Sequence, residues 1–483
     1  MSASPRNLGE LLLPARRRFL REAGLGFGSV ALASLLSRES AANTSVAATA
    51  MPSLPHHAPR AKRVIWLFMT GAPSQVDTWD YKPELQARGG QPLPGADPKT
   101  GFFTTSGTCL PSPFKWAQHG ESGSWVSDLF PHLSRHVDEM AFIHSCHLKA
   151  NNHAPAAMEL MCGLNRPGMP SMGAWLDYGL GSMNDSLPSF VVMHGPKPRG
   201  DDQIWSAGFL PKSHQALAID ARRPVAVDNL ALRTGQSLDA QRTELDLLNS
   251  LNAAHAAGRP TQADLAARIA SFELAYRMQT AAPEAIDLSR ESKSMHDLYG
   301  TDDPNCGVFG KQCLTARRLL ERGVRFIQIF AGKNGGGGGV DDVPWDGHSD
   351  IEVNHRVCAL STDRPAAALL ADLKSRGMLE DTLVIWGGEF GRTSDSQGSK
   401  GRDHNPGGFT IWMAGGGVKG GYHHGATDPF GYKAVENKVH VNDLHATMLH
   451  LLGIDHEQLT YRHNGRNFRL TDVGGSVIRD VIA

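Results

Sequence analysis

Residues 381–421 read DTLVIWGGEFGRTSDSQGSKGRDHNPGGFTIWMAGGGVKGG. Two continuous apolar runs, Thr382–Gly388 and Phe409–Ala414, have the form of strands covered on both faces. An acid, Glu389, stands at the end of the first. The polar loop between them carries Arg392 and Arg402-Asp403-His404. A carboxylate and an imidazole brought over the C-terminal edge of a parallel sheet occupy the place where open α/β sheets hold ligands and metals.

Working outward, Arg63–Thr70 (RVIWLFMT) is another such run, and it ends in Gly71-Ala72-Pro73-Ser74. Turn residues directly after a buried strand place Ser74, Asp77 and Asp80 at the same kind of edge. Met140–Ser145, Ser189–His194 and Val324–Phe330 are further buried strands. The first of these leads through Asn151-Asn152-His153 into a helix over Ala154–Cys162, with Pro155 in its first turn. Asn152 and His153 therefore stand at a helix N-terminus beside a strand end, a position suited to an anion. Beyond Val324–Phe330 come Gly335–Gly339, Asp341, Asp342 and then Asp346-Gly347-His348. The intervening glycine lets one tight turn offer both Asp346 and His348 as ligands.

Helical spacing recurs over Leu129–Val137, Lys311–Arg322, Ala366–Arg376 and Val441–Leu452. The Leu- and Ala-rich stretch Leu238–Tyr276 forms a helix pair broken at Gly258–Thr261, an insertion spanning about residues 238–280 with a mixed-charge, solvated face. Residues 81–124 and 195–235 show no period. Strands alternating with helices predict an α/β fold, a three-layer α/β/α sandwich with a mostly parallel central sheet. Right-handed crossovers then gather the strand C-termini on one edge.

Composition is that of a globular protein: 41% hydrophobic, 20% charged, net charge −1 over 483 residues. That charge excludes bulk attraction to nucleic acid. The 22 histidines leave room for metal ligands. Six cysteines show no CxxC pair. Cys306 and Cys313 could pair in an oxidising compartment, and no redox role is assigned. At the amino terminus, Arg16 and Arg17 precede a short, weakly apolar Gly/Ala run, and Ala48-Thr49-Ala50 offers a small-residue cleavage site. The order resembles a twin-arginine signal over residues 1–50, followed by a leader (51–62) and one domain (63–483). Export to the periplasm or beyond is the expectation. No other segment has the length and hydropathy of a membrane span.

The polar residues sent to the strand edge are Ser74, Asp77, Asn152, His153, Asp346, His348, Glu389, Asp403 and His404. Carboxylates and imidazoles together suit zinc, manganese or iron, and the carboxylate share also allows calcium or magnesium. No single spacing is specific, since His and Asp in Gly-rich loops commonly form turns. No GxGxxG opens a helix after the first strand and no GxxxxGK[ST] occurs, so a nucleotide site is poorly supported, and a serine hydrolase lacks GxSxG.

GAPSQVDTWDYKP, WDGHSD, WGGEFGRT, GRDHNPGGFTIWMAGGGVKGG and DLHATMLHLLGID occur in this order. Together they resemble the bacterial DUF1501 family, of the alkaline-phosphatase/sulfatase-like superfamily. The resemblance implies a central sheet, a one- or two-metal site, and a nucleophile at a helix N-terminus that hydrolyses phosphate or sulfate esters. Laid on this chain, it makes Asp346 and His348 a metal-ligand pair, with Glu389 and His404 joining them. Asp77 joins too, if its loop folds back. Ser74, Arg392 and Arg402 fall to substrate binding. Asn152 and His153 occupy the nucleophile's place and bring no hydroxyl or thiol; Ser145 and Cys146 lie upstream. Water would then replace the covalent nucleophile, with His153 as base or anion ligand. The expectation is an exported, metal-dependent hydrolase-like protein acting on a small-molecule or polysaccharide sulfate or phosphate ester. The alternative is an inactive secreted binding protein that keeps the fold.

Overall fold

The computed structural model describes residues 55–97, 99–103, 107–195, 198, 200–220, 232, 235–257, 263–331 and 344–483. The expected signal segment, Gly258–Thr261, Gly335–Gly339, Asp341 and Asp342 lie outside the described residues.

The sheet strands are β1 (Arg63–Met69), β2 (Met140–His147), β3 (Phe190–His194), β4 (Leu217–Asp220), β5 (Phe326–Ala331), β6 (Thr382–Gly387), β7 (Phe409–Ala414), β8 (Tyr422–His424) and β9 (Val439–His440). They form a nine-stranded sheet in the order β8-β2-β7-β6-β1-β5-β3-β4, with β9 also pairing β2. Within this sheet every described pairing is parallel except those of β7, which runs antiparallel to both β2 and β6.

Side chains of the central strands alternate between two cores, because successive residues of a strand point to opposite faces. Val64, Trp66 and Phe68 of β1 enter one core, and Ile65, Leu67 and Met69 the other. The first core is completed by helices α1 (His153–Cys162), α2 (Met172–Leu180) and, last in the chain, α7 (Val441–Leu451). The insertion pair α3 (Leu238–Ala257) and α4 (Ala263–Ile286) comes between. The second core takes Met278, Ala282 and Ala285 of α4 together with α5 (Gly307–Glu321) and α6 (Ile351–Ser375). Burying one such aliphatic or aromatic side chain stabilises the fold by about 1.5–3 kcal/mol, so strands apolar on both faces bind the layers together.

Several elements differ from the sequence expectation. Helix α6 begins at Ile351, well before Ala366. Asp350 caps it by accepting from the backbone N–H groups of Glu352 and Val353 (both 3.1 Å), and Pro365 is carried inside it. Leu133–Glu139 is a 3-10 helix. Helix α2, capped by Ser171, and the hairpin Trp116–His119/Ser124–Ser127 stand where no clear element was read. All six cysteines are free and buried, so Cys306 and Cys313 are not paired.

The antiparallel course of β7 decides the site. A parallel neighbour needs a crossover, usually helical. Residues 389–408 form no helix, so the chain re-enters the sheet from the edge at which β6 ends.

Candidate metal centre

Four side chains from three stretches of chain meet at that edge. His153 is the first residue of α1, following Asn152 as the backbone N-cap. Asp346 and His348 come from the loop after β5, where the Trp345 N–H donates to the Thr70 carbonyl at the end of β1 (2.8 Å). His404 pairs with Arg392 in a two-residue ladder just before β7. One ligand atom from each of His153, Asp346, His348 and His404 lies within 4.8 Å of all the others. Asp346 Oδ1 is 3.1 Å from His153 Nε2, 2.9 Å from His348 Nε2 and 3.5 Å from His404 Nε2. His348 Nε2 and His404 Nε2 are 3.0 Å apart. Donors about 2.0–2.1 Å from a tetrahedral zinc would stand roughly 3.3 Å from one another, so the spacing fits a common cation.

What lies behind each imidazole matters as much. His153 Nδ1 is 2.6 Å from Glu389 Oε1, His348 Nδ1 is 2.5 Å from Gln397 Oε1, and His404 Nδ1 is 2.7 Å from the Asn151 carbonyl oxygen. A carbonyl oxygen or a carboxylate only accepts, so Nδ1 of His404 and of His153 carries the proton and donates. Their Nε2 lone pairs then face the shared centre, the arrangement by which outer partners orient metal-binding histidines. His153 Nε2 is buried and makes no hydrogen bond of its own, although it lies near Asp346. A buried nitrogen without a hydrogen-bond partner, beside two more imidazoles and a carboxylate, is part of a donor set that a cation satisfies.

The electrostatics agree. Burial opposes ionisation of Asp346, but the Arg392 guanidinium, 2.6 Å away, and the close approach of the three imidazoles hold its carboxyl far below the usual range. Burial lowers the pKa of His404 to about 4 against the pull of Asp346, so it is neutral at pH 7. Burial also works against protonating His153, but Asp346 and Glu389 outweigh it and raise its pKa.

The remaining expected site residues fall into two groups. Glu389 stands behind His153 rather than in the donor set; it also accepts from the Gly71 N–H (3.0 Å). Arg392 is wholly buried, and besides Asp346 it donates to the Ala72 (3.0 Å) and Gly71 carbonyls. It thereby holds a turn in which Gly71 (φ 95°) and Ala72 (φ 71°) are both left-handed. A Cβ on Gly71 would crowd the Trp345 and Asp346 backbone nitrogens. Ser74, Asp77 and Arg402 lie outside the cluster in a fully buried network. Arg402 Nε donates to Asp77 Oδ2 (2.6 Å), Ser74 Oγ donates to the same oxygen (2.5 Å), and Arg402 also donates to the carbonyls of Thr393 (3.0 Å) and Leu110 (2.9 Å). Their charges are spent on one another, which leaves Asp77 among the described residues as a partner of Arg402 and not of the donor set. Near the nucleophile's expected place, Ser145 Oγ donates to the Asn437 carbonyl (2.6 Å), and burial pushes the Cys146 thiol up.

Gln397, the Asn151 carbonyl, Phe102 and Phe103 escaped the sequence reading. Each sits in an irregular loop, where neither period nor motif assigns a partner. Phe102 and Phe103 stand 5.6 Å and 5.2 Å, ring to ring, from His404 and His348.

Among solved structures, the chain resembles the lipoteichoic acid synthase LtaP from Listeria monocytogenes (11% identity, TM-score 0.36, covering 82% of this chain and 73% of that one). It also resembles the sulfatase PsFucS1 from Pseudoalteromonas sp. (12%, 0.36, 82% and 69%) and the alkaline phosphatase of the Antarctic bacterium TAB5 (12%, 0.34, 82% and 98%). No curated protein sequence matches it. The family model described as "Protein of unknown function (DUF1501)" matches residues 61–482, and the chain belongs to that family.

Proposed function

We propose that the protein is an exported, metal-dependent hydrolase of phosphate or sulfate esters, with His153, Asp346, His348 and His404 as the metal ligands. The observation that carries this reading is the convergence of three imidazole Nε2 atoms on one Asp346 oxygen, each ring backed by a partner on Nδ1. Three nitrogens and one oxygen favour zinc or manganese; calcium, which prefers six to eight oxygens, fits this set poorly. A divalent cation held there supplies Lewis acidity toward an ester oxygen. The chain's own part is to keep the three rings aimed and to keep Asp346 ionised through Arg392. His153 serves as a ligand in this reading, which removes it as the base, and Asn152 contributes the backbone cap that starts α1. Ser74, Asp77 and Arg402 hold the surrounding loops, and Glu389 orients His153.

A second reading, an inactive secreted binding protein, is favoured by one specific observation. The N-terminus of α1 offers Asn152 and His153 where a hydroxyl or thiol would attack. Elemental analysis of the purified protein, beside His348→Ala and His404→Ala variants, tests the centre: wild type retains stoichiometric metal and each variant loses it. A panel of phosphate and sulfate esters with added zinc, manganese or calcium then separates the readings. Metal retained without turnover of any ester selects the binding protein. Absence of stoichiometric metal from wild type overturns the centre itself.

A further inference from the structure

We propose that Phe102 and Phe103 form the subsite for a ring-bearing alcohol portion of the ester with an apolar face, an aryl or pyranosyl group. This rests on the ester-hydrolase reading above.

Among the described residues, the most open side of the donor set is at His348. The side chains of His153, Asp346 and His404 are buried, whereas that of His348 is 23% exposed. A ligand arriving from solvent therefore reaches the donor set beside His348. There the Phe103 ring meets the His348 imidazole edge-on (centroids 5.2 Å apart, planes at 87°), and Phe102 leans on His404. The two phenyl rings stand perpendicular to each other, 5.1 Å apart at 86°. Phe102 remains 44% exposed and Phe103 48%. Two aromatic rings left in water at the rim of a polar centre form an apolar corner of the kind ligands fill.

The corner is held in place by the residues that fix His404. The Phe103 N–H donates to Asp403 Oδ2 (2.9 Å), while Asp403 Oδ1 accepts from the His404 N–H (2.8 Å). Asn151 Nδ2 donates to the Gly101 carbonyl (3.2 Å), and the Asn151 carbonyl accepts from His404 Nδ1. Gly101 lies so close to the Asp403 carboxylate that a Cβ would overlap it. The distance from ring pair to donor set is thus fixed by the same two residues that aim a ligand. An ester whose acid end sits on the centre would lay its alcohol end against these rings. A ring with an apolar face gains from that contact, and a methyl group gains little.

The test is calorimetric titration of the metal-loaded full chain with phenylphosphonate, a pyranosyl C-phosphonate and methylphosphonate, none of which can be hydrolysed as an ester. At least one ring-bearing phosphonate is expected to bind about tenfold more tightly than methylphosphonate, and which of them does so identifies aryl or pyranosyl. Phe102→Ala and Phe103→Ala are each expected to narrow the gap and the double variant to close it, with metal content and methylphosphonate affinity unchanged. Phe102→Leu and Phe103→Leu keep the apolar bulk and control for folding. Equal affinity of wild type for ring-bearing and methyl compounds overturns the subsite while leaving the ester reading intact. Loss of metal from the alanine variants assigns the rings a structural role and also overturns it. A fully metallated protein that binds neither these phosphonates nor the corresponding sulfonates overturns the ester reading and the subsite together.

Discussion

Glu389 shows how much rests on one atom behind a proposed ligand. Its Oε1 fixes the tautomer of His153 and also accepts the Gly71 N–H, so it aims a donor and pins the turn after β1. Glu389→Gln keeps the shape and removes the charge. Metal affinity is expected to fall about 10–100-fold, with circular dichroism and thermal melting near those of wild type; competition with a chromogenic chelator reads the difference. Unchanged affinity would return Glu389 to a purely structural role. At this scale the sequence was informative about residue type, and the roles came only from the family resemblance. His153, Asp346, His348 and His404 were legible because each follows or precedes a recognisable strand. Their division of labour with Glu389 and Asp77 was not, since a carboxylate's partner depends on which loop folds back against it.

At the scale of elements, two close contacts carry predictions. Gly401 packs against the backbone of His348 so tightly that a Cβ would overlap the His348 carbonyl, while the Arg402 N–H donates to the Gly347 carbonyl (3.0 Å). Gly401→Ala is therefore expected to displace His348 and lower metal affinity by at least about tenfold, although it touches no ligand side chain. The second contact is Asp363 of α6, whose carboxylate accepts the N–H groups of His132 (2.9 Å) and Leu133 (2.8 Å) at the start of the 3-10 helix. Burial raises its pKa to about 6 from 3.8. The folded state then binds this proton more tightly than the unfolded chain, so stability falls as pH rises from about 4 to about 6. The loss is on the order of 3 kcal/mol for this group. In Asp363→Asn that fall should disappear from urea-denaturation curves taken across the window; an identical pH profile would sink the assignment.

For the whole molecule, the Asp77–Arg402 pair ties the loop after β1 to the segment before β7, residues 325 apart in sequence and both wholly buried. Removing one partner of a buried pair strands the other charge. Asp77→Ala is thus expected to destabilise by about 3–5 kcal/mol in denaturant melts. Burial raises the Asp77 pKa, but Arg402 overcomes this and holds it below the usual carboxylate value. The pair's contribution is accordingly complete above about pH 4 and is lost as pH falls further through the folded-state value. By itself the sequence determined the α/β class, the six long strands and the family, because continuous apolar runs and ordered motifs are local properties of the chain. Only the tertiary structure decided that β7 runs antiparallel, and that choice brings His404 to the edge where His153, Asp346 and His348 already stand. It also decided that Asp77, Ser74 and Arg402 satisfy one another. Both outcomes depend on which distant loops meet, and burial then requires every charge they bring to find a partner.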